Sequence, residues 1–157
     1  MITNNINPRQ FLKMTRVIYF SLWSALITFF LIVLFTTNHK IIFNISLSDP
    51  LKISCFIIAS VFLPAGKKYA GMTFGKINLN DTLMNKLSKY QTGQLIRLAT
   101  CEGVGFLSIV SLLLTSNIFF LAFLLVALFT MIQYYPTPDN IGREINLTPN
   151  EVDMFNN

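Results

Sequence analysis

The stretch VIYFSLWSALITFFLIVLF, Val17 to Phe35, decides the fold, because it runs for the length of a bilayer crossing with no charged side chain. A helix rises 1.5 Å per residue, so about 20 apolar residues cover roughly 30 Å of hydrocarbon. Working outward, Ile118 to Tyr135 has the same character, and Leu98 to Ser116 repeats it with one charge, Glu102. Ile53 to Gly66 is a shorter fourth stretch, and Pro64 interrupts it. The expected architecture is an all-α integral membrane protein, a four-helix bundle with spans near residues 17–36, 51–66, 98–116 and 118–135. A tail over residues 136–157 follows.

Composition agrees. Of 157 residues, 53% are hydrophobic and 12% charged, too little charge to cover a water-soluble globule. The net charge of +5 comes from basic residues beside the apolar spans, where anionic lipid headgroups attract them, so headgroups rather than nucleic acid are the expected anionic partner. Cys55 and Cys101 fall inside predicted spans and read as inert buried thiols. Arg9, Lys13 and Arg16 precede the first apolar run, but its length and the lack of a small-residue cleavage site favour a retained span over a signal peptide.

Positive charge sets the expected orientation. With four crossings, Arg9, Lys13, Arg16, Lys67, Lys68, Lys76, Lys86, Lys89, Arg97 and Arg143 share one side, and Lys40 and Lys52 lie opposite. That places both termini in the cytoplasm, in the plasma (inner) membrane. Ser48 or Asp49 caps the second helix, with Pro50 at its first position. Lys52 and Lys67 with Lys68 lay their aliphatic stems along its apolar ends and raise their ammonium groups to water.

Between spans two and three, Leu83, Leu87 and Tyr90 recur at helical spacing after a cap at Asn80 or Asp81. They predict a cytoplasmic amphipathic helix continuing into the third span. The link Thr115–Asn117 is so short that spans three and four must form an antiparallel hairpin. After Tyr135, Pro136 and Pro138 end the fourth helix. Thr148 and Glu151 form a capping-box pattern opening a short helix in the tail. Ile141, Ile145, Leu147, Val152, Met154 and Phe155 make that tail too apolar for a free linker, so it docks on its own bundle or on a partner.

Chemistry-bearing residues are few. His39, the lone histidine, lies in a short loop without a second ligand at metal spacing, so neither a metal nor a cofactor is expected. The GxxxG match Gly71–Gly75 lies at the end of a span, where helix dimerisation is less compelling. The one constellation is at the third span. Arg97 is placed at the headgroups, and Glu102 lies roughly 7 Å deeper and about 140° around the helix from it, too far for an intrahelical pair. Lys67 or Lys68 is then the expected partner of Glu102. Gly103 and Gly105 remove bulk beside it, for close helix packing or a small polar cavity. Such a pair either fixes helix register or marks a functional site.

Three functional classes fit: a non-enzymatic accessory or scaffold subunit of a membrane complex, a small oligomeric channel or transporter using Glu102, and an interfacial lipid-modifying enzyme using Glu102, Lys67, Lys68 and Arg97. The first is preferred, with a protein partner or a homo-oligomer expected, because no catalytic nucleophile is visible. The segment YYPTPDNIGREINLTPNEVDMF has the general look of small bacterial inner-membrane proteins, a likeness that carries no residue-level role.

Overall fold

Each long apolar stretch opens behind a residue that can satisfy free helix amides. In the computed structural model, which describes residues 7–36, 42–44, 46, 49–78 and 80–155, these stretches form α1 (Pro8–Thr36), α2 (Pro50–Phe74) and α3 (Leu83–Thr115). A 3₁₀ turn (Ile118–Phe120) leads into α4 (Leu121–Gln133), and the tail forms α5 (Pro138–Glu144) and α6 (Pro149–Asp153). Asn7 accepts from the Arg9 amide ahead of Pro8, and Asp49 accepts from the Leu51 amide ahead of Pro50. In both helices proline occupies the first position, where its missing N–H costs nothing.

The cap of α3 is Thr82, neither Asn80 nor Asp81. Asp81 instead accepts from Lys89 Nζ at 2.7 Å and from the Asn78 amide at 3.1 Å, closing the loop before α3. The Lys89 hydrogen bond, together with the Asn78 amide, holds the Asp81 carboxyl below its ordinary range.

Three helices, α1, α2 and α3, are long and apolar enough to cross a membrane. The second departs from expectation. Rather than ending near Gly66 at the Pro64 interruption, α2 runs unbroken to Phe74, 25 residues in all. Proline removes one backbone hydrogen bond, and contacts to α3 on both sides of it, at Ala59 near Val104 and Gly66 against Thr100, keep the helix continuous. The stretch Ile118–Gln133 is shorter and bends by 86° into α5.

The core sits around α3, which packs against α1, α2 and α4. Leu26 of α1, Leu98, Cys101 and Ile109 of α3, and Leu124 and Met131 of α4 form its centre. Gly105 belongs to this contact, since a Cβ there would lie 2.9 Å from the Leu26 methyls. Gly103 does not, because nothing lies within 4 Å of a Cβ built on it. Two residues apart on a helix, the glycines face different ways, so they do not open one space beside Glu102.

The outer surface is an apolar belt. Val17, Phe20, Leu31 and Ile32 of α1, Phe56, Ile57, Val61 and Phe62 of α2, and Leu125, Val126 and Phe129 of α4 are all exposed. A continuous surface of this kind fits hydrocarbon, not water.

The α3–α4 turn is knitted to the α1–α2 connection. Ser116, with φ of 53°, ends α3 in the left-handed region. Ile42 bonds to Ser116 and Ile118 on either side, and buried Asn117 exchanges hydrogen bonds with the Asn44 backbone. Lys52 does not rise to water as expected. It is 2% exposed, donates to the Ser46 carbonyl at 2.8 Å and lies 5.7 Å from the Phe119 ring centre.

Candidate functional site

The polar centre of the molecule is built on Arg97, one turn of α3 after Gln94 and two turns after Tyr90. At spacings of three and seven residues these side chains share a face. Arg97 is buried, and so it is not a headgroup residue. Its guanidinium makes a fork-to-fork pair with Glu144 of α5, at 2.6 and 2.8 Å, while Nε donates to Gln94 Oε1 at 2.6 Å. Rings of Tyr134, Phe74 and Tyr90 surround it with centroids 4.5, 5.4 and 5.9 Å away. A planar, weakly hydrated cation suits such a position, where a lysine ammonium would not.

Gln94 extends the network. Its amide donates to the Tyr134 carbonyl at 2.7 Å, while Tyr19 Oη donates to Met131 O and Arg16 Nε to Pro136 O. Carbonyls at and just beyond the end of α4 are therefore met by side chains from α1 and α3, which suits a helix end packed inside protein. An open cleft of about 320 Å³ lies beside the pair, lined by Lys67, Gly71, Phe74, Arg97, Tyr134 and Glu144.

A second ion pair holds the end of the tail. Lys86, whose side chain is 3% exposed, donates to both oxygens of Glu151 at 2.9 and 3.2 Å. Glu151 also completes the capping box with Thr148, its Oε2 accepting from the Thr148 amide at 2.8 Å. Beneath both pairs, Phe11, Leu12, Leu87, Tyr90, Ile141, Ile145 and Phe155 make an apolar cluster, so the tail is docked on its own chain.

Partial burial works to raise the Glu151 carboxyl, but hydrogen bonds from Lys86 and from Thr148 outweigh it and hold the group below its ordinary range. A depressed carboxyl stabilises docking at pH above its unfolded value near 4.5, and this contribution disappears as pH falls through the lower folded value. A nitroxide at Asn150→Cys should therefore be immobile at neutral pH and gain mobility in acid. In Lys86→Gln it should be mobile at both, and a wild-type label indifferent to acid would exclude this linkage. Thr148→Ala should weaken α6 by about 1 kcal/mol without changing insertion. Equal proteolysis of both variants after Leu147 would contradict that.

Glu102 is set apart from all this. It is half-buried, and among the described residues none forms a hydrogen bond or ion pair with it. Lys67 and Lys68 are exposed and do not reach it. The reason is rotational. Gly66 faces Thr100 across the α2–α3 contact, and both Lys68 and Glu102 lie two residues from those contact points, about 200° around their helices. Of the four residues expected to cluster, the fold brings together Lys67 and Arg97, at the cleft, and leaves Lys68 and Glu102 outside it.

Glu144, Gln94, Tyr134 and Lys86 were not singled out from sequence. Glu144 carried one usable signal, an acid beside Ile141 and Ile145 in a segment otherwise reading as a docked amphipathic turn. His39 lies outside the described residues. Among those described, no group of three or more His, Cys, Asp or Glu is placed to hold a metal ion.

No protein-family model, no curated protein and no solved structure matches this chain.

Proposed function

We propose that this chain is a non-enzymatic accessory or scaffold subunit of a membrane complex. In this reading Ile118–Gln133 is a fourth crossing, and both termini lie on the cytoplasmic side of the plasma membrane. The supporting observation is the cap. Residues 136–155 are clamped to the end of α3 by Arg97–Glu144 and Lys86–Glu151, and so present one fixed surface. Fixing a surface in advance removes the ordering cost of binding. Exposed Arg9, Lys13, Lys67, Lys76 and Arg143 rim the same end, where anionic headgroups would hold the cap against the bilayer.

Purification in mild detergent tests this reading. The wild-type chain should retain a stoichiometric protein partner, and Glu144→Leu, which disrupts the clamp outside the spans, should insert normally and lose it. A wild-type preparation holding no other protein, or a partner retained equally by Glu144→Leu, would contradict it.

A second reading, a small oligomeric channel or transporter, is favoured by one observation: the unpaired Glu102 carboxylate within α3. Ionisable groups in spanning helices generally face protein or water and mark ion pathways or contacts.

A further inference from the structure

Among the described residues neither Glu102 nor Lys68 has a partner, both lie in helices long and apolar enough to cross the bilayer, and the register between those helices bears on where their partners lie. Gly66 packs on Thr100, Phe74 on Gly93, and Cys55 Sγ sits 3.3 Å from Ser111 Oγ. In this antiparallel register Glu102 is level with Pro64 and Lys68 with Leu98. The two charges differ in depth by about four residues, roughly 6 Å, a gap that a lysine stem and a glutamate side chain together can close. Within one copy they cannot meet, since each points away from the α2–α3 contact.

Each also sits on or beside an uncovered helix face. On α3, exposed Ala99, Gly103, Val110 and Leu113 run along a stripe beside Glu102. Gly103 has open space around it, and Ala99 with Gly103 has the small-xxx-small spacing that allows helices to approach closely. On α2, exposed Ile57, Val61 and Met72 flank Lys68. A lone carboxylate below the interface is costly, and the complementary charge about one helical turn nearer the headgroups is supplied by Lys68 of the chain itself.

We propose that the chain associates head to tail with further copies of itself, Lys68 on α2 of one copy pairing with Glu102 on α3 of the next. Such a contact uses two different surfaces, so it closes into a ring or continues as a row. The proposal deepens the oligomeric reading above, and it rests on α2 and α3 spanning the bilayer.

The test uses the full chain in lipid nanodiscs and mild detergent, with oligomer mass read by native mass spectrometry and insertion read separately by maleimide labelling of Asn44→Cys. Wild type should be an oligomer. Glu102→Lys and Lys68→Glu should each lower the oligomer fraction more than about tenfold, because each places like charges opposite one another. The double reversal should restore it, and Glu102→Gln should weaken it while inserting normally. Correctly inserted wild type that is monomeric, whether it carries lipid alone or a different protein, would overturn the proposal and leave the membrane reading standing. Single reversals that leave the oligomer intact would also overturn it. Failure of wild-type insertion would remove the membrane reading itself.

Discussion

Glu144→Leu is expected to release the tail more completely than Arg97→Leu, although both remove the same ion pair. The difference lies in what each leaves behind. Without Glu144, the guanidinium remains among three aromatic rings with its side chain 6% exposed, left with the neutral partners Gln94 at 2.6 Å and the Tyr90 hydroxyl at 3.5 Å. Orphaning a buried charge in this way costs about 3–5 kcal/mol. Without Arg97, the Glu144 side chain, already 31% exposed, can turn to water, so the loss is smaller, about 2 kcal/mol. The double variant Arg97→Leu/Glu144→Leu should recover most of the stability, because an apolar pair of similar size often replaces a buried ion pair with little loss. Hydrogen exchange of the α5 amides in the detergent-solubilised protein reads all three. Equal exchange in the two single variants would show that the pair sits in solvent and contributes little.

The second large effect is expected at the α2–α3 contact. A Cβ at Gly66 would overlap the Thr100 side chain, with Thr100 Cβ at 2.9 Å, so Gly66→Val should push the helices apart at a cost of about 1–3 kcal/mol. The thermal unfolding midpoint should fall accordingly. Thr100→Ala removes the obstructing hydroxyl and methyl but leaves its Cβ 2.9 Å from the new one, so the pair Gly66→Ala/Thr100→Ala should recover part of the stability that Gly66→Ala alone loses. Independent, additive effects at the two positions would mean that they are not in contact.

Much of this fold was legible because apolar length is a one-dimensional property. The first and third apolar helices, the proline opening α2, the hairpin at Thr115–Asn117 and the Thr148–Glu151 cap all depend on neighbours within a few residues. The end of α2 was not legible. Proline at position 64 argues for a break, and only packing against α3, more than thirty residues away, keeps the helix continuous. The polar site failed for a related reason. Reading Arg97 as a headgroup residue and Lys67 or Lys68 as partners of Glu102 needed only sequence proximity to the span ends, whereas the observed pairing depends on helix rotation and on a tail 47 residues further along. Lys52 illustrates the same limit, since its ammonium was expected to rise to water and it is buried on the Ser46 carbonyl.

In the proposed topology the capped tail and the start of α1 lie on one side of a membrane and the Asn44–Asn117 junction on the other. The most direct measurement is impermeant maleimide labelling of intact cells, using single cysteines in a Cys55→Ala/Cys101→Ala background. Cysteine at Asn44 should react, while cysteine at Asn85 or Asn150 should react only after the membrane is opened. Labelling at Asn85 in intact cells would remove α2 as a crossing, and labelling at Asn150 would place the cap on the outer side, contradicting the four-crossing account.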